Sequence, residues 1–170
     1  QVIDSGIKVL KIEGRGRAAD YVATVIKTYR EAIDSYYEET FTKEKITVWM
    51  EALATVYNRG FWSGYYLGQK LGEWSDNPGS NATQKKVYVG KGVHYFPKSS
   101  IAEFKIEAYD IKKGDKILIT GPSTGAQELV LEDFYVNDIN SEKATKGDSC
   151  TMKVPFRIRL SDKMYKIVEN

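Results

Sequence analysis

Glu13, Arg15 and Arg17 are the charged residues whose spacing first suggests chemistry, because they alternate with glycine in one short loop. The loop follows the apolar run 7–12, which predicts a strand, and precedes an amphipathic segment that predicts a helix. In a βα barrel, a loop in this position lies on the face where active sites are built. We therefore take Glu13 and Arg15 as candidate catalytic residues and Arg17 as a candidate substrate-binding residue. A structural ion pair, in which carboxylate and guanidinium neutralise each other, is an equally good interpretation.

A second candidate site is the segment 58–68, which joins the helical part of the sequence to the part that predicts strands. Arg59 is a candidate substrate-binding residue there, and glycines give the segment backbone freedom. Its aromatic residues supply contact area, either as a hydrophobic plug between the two parts or as a surface that stacks a ligand, and the plug is the commoner arrangement. These aromatics are Phe61, Trp62, Tyr65 and Tyr66.

Tyr95, Phe96 and Lys98 are further substrate-binding candidates, in the first predicted hairpin. An aromatic pair beside a lysine can stack a base or hold a peptide, although a hairpin that packs its own aromatics is commoner. No metal site is predicted, since the chain has one histidine and one cysteine. That cysteine, Cys150, lies in a predicted strand and is expected to be a buried, unreactive thiol.

The sequence shows none of the familiar catalytic arrangements: no serine or cysteine nucleophile stands at a known spacing from histidine, and there is no HExxH motif. The chain by itself is therefore a poor enzyme candidate. Its formal net charge of +2 is too small for a strong nucleic-acid footprint. The sequence has no membrane-spanning apolar run and no signal-peptide pattern, which favours a reduced, cytoplasmic protein.

The hydrophobic periodicity predicts an α+β fold. Helices are expected from Ala18 to about Tyr37 and, after the N-cap Thr42, to about Tyr57. From Lys85 onward, six strands without an intervening helix argue for a closed or nearly closed small barrel. They are placed at about 86–93, 101–108, 116–120, 128–137, 149–154 and 164–168.

Three of the predicted strands follow a turn that ends in aspartate, at Asp115, Asp148 and Asp162. Glycine or serine directly before the aspartate tightens the backbone, and the carboxylate is expected to accept hydrogen bonds from nearby backbone amides. The same local chemistry thus introduces three strands.

Four motifs resemble the collagenase-like peptidases of peptidase family U32. They are Lys11-Ile12-Glu13-Gly14-Arg15, Tyr21-Val22-Ala23-Thr24-Val25, Asn58-Arg59-Gly60-Phe61 and Gly64-Tyr65-Tyr66-Leu67-Gly68. The resemblance implies a parent protein with a modified TIM barrel followed by a small β-barrel, and a chain that begins near the last strand of the TIM barrel. It assigns 1–68 to a strand and two helices that complete the catalytic barrel, 69–84 to a linker and 85–170 to the β-barrel domain.

The β-barrel part is also similar to the second domain of elongation factor Tu. The similarity rests on a Lys-x-Gly-Asp turn at 112–115 and an Ala-x-x-Gly-Asp turn at 144–148. Small barrels share such turns, so the similarity concerns fold and does not determine function.

The family resemblance implies that the chain is the C-terminal part of a collagenase-like peptidase, with the β-barrel as an accessory substrate-binding domain. A second function within the family is iron–sulfur-dependent hydroxylation of RNA or of quinone precursors, and a structural or dimerisation module is the third alternative. An iron–sulfur cluster or zinc would belong to the barrel part that precedes this chain, so no cofactor is expected here. The expected partners are that N-terminal catalytic barrel and a protein or RNA substrate.

Self-association is also expected, through the apolar run 7–12. A lone strand leaves its backbone groups unpaired, so it can pair with the β-barrel, pair with a second copy or stay exposed to water. Its branched apolar side chains disfavour exposure, and pairing with a second copy is the expected form.

Overall fold

A computed structural model describes residues 2–61, 68 and 79–170 of the chain. Two helices come first, α1 (Ala19–Tyr37) and α2 (Lys43–Thr55), and they pack against each other. The hydroxyl oxygen of Thr42 accepts a hydrogen bond from the backbone amide of Lys45 at 3.3 Å, which confirms the predicted N-cap of α2. None of the described helices is long and apolar enough to cross a membrane.

Ten strands follow in the described part of the chain, and every pairing between them is antiparallel. They are β1 (Gln84–Phe96), β2 (Ile101–Ile106), β3 (Ile111–Lys112), β4 (Lys116–Gly121), β5 (Gly125–Val130), β6 (Phe134–Val136), β7 (Ile139–Ser141), β8 (Lys143–Ala144), β9 (Ser149–Lys153) and β10 (Lys163–Glu169). Eight of them form one sheet in the order β5-β4-β10-β1-β2-β9-β6-β7, while β3 and β8 form a small second sheet. The α+β class is confirmed.

One hydrophobic core serves the sheet region. It includes Ile117 and Ile119 from β4, near one end of the strand order, together with Phe134 from β6, near the other end. Strands from both ends can share one core only if the sheet curls around it. Inward side chains alternate with partly exposed ones along β2, where Ala102 and Phe104 are buried.

The three aspartate turns are built as predicted. In each, the carboxylate accepts a hydrogen bond from the backbone amide three residues earlier: Asp115 from Lys112 at 2.8 Å, Asp148 from Thr145 at 2.7 Å and Asp162 from Arg159 at 2.8 Å. The residue before each aspartate has a positive φ, at Gly114, Gly147 and Ser161. The strands β4, β9 and β10 begin directly after these turns.

The predicted strand over 7–12 is wrong. These residues have no regular secondary structure, and no described strand pairs with them. Val9 is 81% exposed, and Ile7 and Leu10 are also exposed. The apolar run has the composition of a strand, but a strand forms only where a neighbouring backbone satisfies its amides and carbonyls.

The predicted strands of the second half are confirmed in position, with additions. The predicted strand 128–137 is two strands, β5 and β6, separated by 131–133, and the short strands β3, β7 and β8 were missed. Hydrogen bonding along the described sheet ends at β5 and at β7, so the predicted six-stranded barrel, closed or nearly closed, is not confirmed. Strands of two or three residues carry too few alternations for a pattern to show.

Several contacts join the helices to the sheet. Lys86 on β1 forms a partly buried ion pair with Asp20 on α1. The backbone amide of Thr83 donates to the carbonyl of Ala54 at 2.9 Å, at the end of α2. The start of β1 is therefore fixed against both helices.

Candidate functional site

The turn after α2 is held by Asn58. Its side-chain oxygen accepts a hydrogen bond from the backbone amide of Gly60 at 3.1 Å, and its side-chain nitrogen donates to the carbonyl of Val56 at 3.0 Å. Gly60 has a φ of +91°, which favours glycine. The Asn-Arg-Gly sequence therefore forms a fixed turn that sets the position of Arg59 at its centre.

The sheet region supports this turn from outside. The backbone amide of Asn81 donates to the carbonyl of Asn58 at 2.8 Å, and the amide of Asn58 donates to the hydroxyl of Ser80 at 3.4 Å. Together with the contact between Thr83 and Ala54, these bonds tie the turn to the residues that lead into β1.

Tyr57 brings two of the predicted binding residues together. The Nε of Arg59 donates to its hydroxyl oxygen at 2.9 Å, and the guanidinium carbon of Arg17 lies 3.8 Å from its ring centroid. The hydrogen bond from Arg59, and then that from Arg17, hold the pKa of Tyr57 below its usual value, because both favour the phenolate. We call these three residues the Arg–Tyr–Arg cluster.

The Arg–Tyr–Arg cluster lies at a cleft of about 690 Å³ between the N-terminal end of α1 and the C-terminal end of α2. The rest of the cleft wall is mostly apolar or aromatic, and it includes Tyr21, Val25, Tyr29, Met50, Leu53 and Phe61. Tyr29, Met50 and Phe61 are exposed although each is large and apolar. A cleft that combines such a wall with a few polar groups is the usual form of a binding site.

The charge of the cluster is uncompensated within the described chain. None of the described carboxylates forms an ion pair with Arg17 or Arg59. Two guanidinium groups beside a phenol therefore give this cleft a positive potential, and an anion would be stabilised there.

Glu13 and Arg15 do not join the cluster. The carboxylate of Glu13 accepts a hydrogen bond from the backbone amide of Arg15 at 2.8 Å, so it shapes the loop, and it forms no ion pair with the described arginines. The alternative of a rim ion pair between Glu13 and Arg15 or Arg17 is therefore not what the structure shows. Both residues are exposed and lie outside the cleft wall.

The hairpin candidates are not assembled into a site. Tyr95 is partly buried and packs against the core, so its ring is not free to stack a ligand. The ring of Phe96 lies 4.3 Å from that of His94 in an edge-to-face contact, and Lys98 is exposed in the following turn. The hairpin packs its own aromatics, which is the commoner arrangement anticipated from the sequence.

Two other sequence predictions can be located. Cys150 is fully buried as predicted, and burial raises the pKa of its thiol to about 12. Lys86 and Lys91 on β1 are paired with Asp20 and Glu107, which weakens this strand as a phosphate-binding surface. Trp62, Tyr65, Tyr66 and most of the predicted linker 69–84 lie outside the described residues.

Tyr57 is the site residue that the sequence did not reveal. The hydrophobic periodicity places it at the end of the apolar stripe of the second predicted helix, where packing is the expected role. The signal that could have identified it is its position directly before Asn58 and Arg59, where a polar hydroxyl at the end of an apolar stripe can reach a neighbouring guanidinium.

Comparison with known proteins identifies the family. The family model of peptidase family U32 matches residues 1–76. A collagenase from Porphyromonas gingivalis is 49% identical over 98% of this chain and 40% of its own length. An uncharacterized protease from Methanocaldococcus jannaschii is 35% identical over 99% of the chain and 41% of its own length.

A tRNA hydroxylation protein, P1 of Bacillus subtilis, is 30% identical over 86% of the chain and 34% of its own length. The chain thus spans well under half the length of these relatives. The similarity to the first two covers nearly the whole chain, and the matched family model includes the cluster residues Arg17, Tyr57 and Arg59. The chain belongs to peptidase family U32.

Proposed function

We propose that this chain is the accessory, substrate-binding part of a collagenase-like U32 protein, and that the catalytic barrel is supplied by the remainder of that protein. The observation that supports this proposal is the Arg–Tyr–Arg cluster, which places hydrogen-bond donors beside an apolar cleft large enough for several side chains. A polypeptide offers both apolar side chains and acceptor oxygens, so it matches the apolar wall and the hydrogen-bond donors of the cleft.

The curled sheet has a supporting role in this proposal. It fixes the turn at Asn58 through Asn81 and holds α1 through the ion pair between Lys86 and Asp20. Substrate is thus bound at the helical end of the chain, and the β1–β2 hairpin is not the binding surface. We further propose that this sheet resembles the small barrel in the second domain of elongation factor Tu, with the barrel left open. We also propose a cytoplasmic location, because Cys150 is a buried free thiol.

The test is binding of fluorescein-labelled gelatin to the chain, followed by fluorescence anisotropy. Replacing Arg59 with glutamine, or Phe61 with alanine, should weaken binding about tenfold, equivalent to about 1.4 kcal/mol. Phe96→Ala in the hairpin is the matched control and should bind like the wild type. If the hairpin variant loses affinity while the cleft variants do not, substrate binds at the sheet and the proposed site is wrong.

A second candidate function is the binding of tRNA for a hydroxylation reaction, and the relative from Bacillus subtilis favours it. An iron–sulfur cluster does not fit the residues present, since the only cysteine is fully buried and its thiol pKa is raised to about 12. This chain would then contribute RNA contacts alone. Titration with tRNA at two salt concentrations tests this function, because a phosphate-driven complex weakens steeply as salt rises.

A third candidate is a structural or dimerisation module. The exposed segment 7–12 and the exposed apolar side chains of α1, such as Ile26, would then pack against the N-terminal catalytic barrel or against a second copy. An apolar surface of this kind supports an interface, and its test is the oligomeric state of the chain.

A further inference from the structure

The Arg–Tyr–Arg cluster has more hydrogen-bond donors than its single acceptor, the hydroxyl oxygen of Tyr57, can satisfy. The hydroxyl oxygen of Tyr57 already accepts from Arg59, so its own proton can be donated to a further group. Among the described residues, none accepts that proton and no carboxylate pairs with the guanidinium of Arg17. The missing component of such an arrangement is an anion.

The guanidinium of Arg17 is well placed to bind this anion. It lies over the ring of Tyr57 at 3.8 Å and also faces the ring of Tyr21 at 5.8 Å. Contacts with ring faces use the flat surface of the guanidinium, so the N–H donors that it does not share with the Tyr57 hydroxyl remain for a planar acceptor at the edge. Arg59 uses its Nε for Tyr57 and keeps its terminal nitrogens for the same acceptor.

We infer that the Arg–Tyr–Arg cluster binds a carboxylate of a polypeptide, either a chain terminus or an acidic side chain, while an adjacent apolar side chain lies on the cleft wall at Met50 and Leu53. The inference that the carboxylate belongs to a polypeptide rests on the function proposed above. A carboxylate is planar and carries one charge, so one guanidinium can bind it through two parallel hydrogen bonds. The phenol and the second guanidinium then supply further donors.

The surroundings favour a carboxylate over the phosphates of RNA. Nucleic-acid affinity increases with the number of phosphates neutralised, and among the described residues of the cleft wall only Arg17 and Arg59 are cations. Lys86 and Lys91, which could have extended a basic surface, are paired with carboxylates. The formal net charge of +2 is also small for a protein that binds nucleic acid strongly.

The experiment compares three unlabelled peptides of one apolar sequence by isothermal titration calorimetry, at fixed ionic strength. The first has a free C-terminal carboxylate, the second is amidated, and the third is amidated with a glutamate inside the sequence. We expect at least tenfold weaker binding of the amidated, uncharged peptide than of the better carboxylate peptide. Preference for the first peptide identifies a chain terminus as the ligand, and preference for the third identifies an acidic side chain.

Substitutions in the Arg–Tyr–Arg cluster test whether the preference for a carboxylate arises there. Tyr57→Phe keeps the ring beneath Arg17 and removes only the hydroxyl, while Arg59→Lys keeps the charge and removes the Nε geometry. Both should reduce the discrimination between charged and uncharged peptides, whereas Arg157→Gln, an exposed arginine in the sheet region, should leave it unchanged. Thermal unfolding of each variant confirms that the fold is retained.

Three results would overturn the inference. If all three peptides bind equally and gelatin still binds, the cluster does not recognise a carboxylate, and the proposed function stands. If neither gelatin nor any of the peptides binds, the carboxylate inference and the proposed function are both wrong. Displacement of the bound peptide by tRNA, but not by acetate, would assign the cluster to RNA phosphates instead.

Discussion

The Nε of Arg59 lies 2.9 Å from the hydroxyl oxygen of Tyr57, two residues earlier in the chain. The contact bridges the end of α2 and the turn that follows it, and it fixes a phenol between two guanidinium groups. A second phenol, Tyr88, has the opposite surroundings: its hydroxyl donates to the carboxylate of Glu107 at 2.5 Å. The pKa values of these two tyrosines should therefore be shifted in opposite directions.

The first prediction concerns their ionisation. Arg59 and Arg17 lower the pKa of Tyr57 from its ordinary value of 10.0, whereas the hydrogen bond to Glu107, burial and the nearby charge raise the pKa of Tyr88 to about 12. Ultraviolet titration of the wild type, minus that of Tyr57→Phe, should show a phenolate that appears below pH 10. The same subtraction with Tyr88→Phe should show one that appears near pH 12.

The effect on stability has opposite signs at the two residues. Tyr57 has a depressed folded pKa, so its contribution is present above the unfolded pKa and is lost as the pH falls through the folded value. Tyr88 has a raised pKa, so its contribution is present below the unfolded pKa and is lost as the pH rises through about 12. Identical titration of the two phenols would contradict both assignments.

The second prediction compares two of the aspartate turns. The carboxylate of Asp115 accepts from Lys112 and also pairs with Lys166 at 2.8 Å, whereas the carboxylate of Asp148 accepts only within its own turn among the described residues. Asparagine keeps an oxygen for the turn amide but loses the charge. We therefore expect Asp115→Asn to lower the free energy of unfolding by roughly 1.5 to 3 kcal/mol, and Asp148→Asn by less than about 1 kcal/mol.

Urea denaturation measures these values. The pair is isolated by repeating Asp115→Asn in a Lys166→Met background, where the excess cost should disappear. An excess that persists without Lys166 would show that the ion pair is not its cause.

The third prediction is a strong coupling between Gly121 and Asp162. A Cβ on Gly121 would lie 1.7 Å from the Oδ1 of Asp162, a carboxylate only 2% exposed. Gly121→Ala alone should cost roughly 3 kcal/mol or more, since neither group can move freely in a packed interior. In an Asp162→Ala background, the same substitution should cost less than about 1 kcal/mol.

Unfolding of the four proteins of this double-mutant cycle measures the coupling. If Gly121→Ala does not fold alone but the double variant does, the clash is confirmed by rescue. Equal costs in both backgrounds would mean that the clash is relieved elsewhere.

The fourth prediction is self-association through 7–12. Val9 is largely exposed and Leu10 is also exposed, and the segment has no strand partner among the described residues. Two copies that pair these backbones would satisfy each other's amides and cover the apolar side chains. Light scattering should show a dimer at high concentration for the wild type and a monomer for Val9→Lys with Leu10→Lys; a monomeric wild type would refute the expectation.

Local patterns predicted local structure well. Thr42 and the three aspartate turns were predicted correctly because each depends on a hydrogen bond between residues three apart in sequence. The helices were also predicted within two residues, since their amphipathic periods extend over several turns.

Predictions that depended on distant partners were less successful. The run 7–12 has the composition of a strand, yet whether it pairs depends on backbone elsewhere. Tyr57 was assigned to packing because its partner Arg17 lies far away in sequence. Arg17 and Arg59, proposed as substrate-binding residues from their glycine-adjacent positions, meet at Tyr57, and their role in binding stays a prediction. Tyr95 was proposed from its aromatic neighbours and instead packs against the core.

The aspartate turns also bear on the order in which the sheet forms during folding. Each closes a loop of a few residues, which costs little chain entropy, whereas pairing β1 with β10 brings Gln84 to Glu169. Short loops close in nanoseconds to microseconds, long before such distant strands meet. We therefore expect substitution of Asp148 to slow folding and substitutions along β10 to accelerate unfolding. Stopped-flow kinetics would then distinguish turns that form early from the pairing of β1 with β10, which forms late.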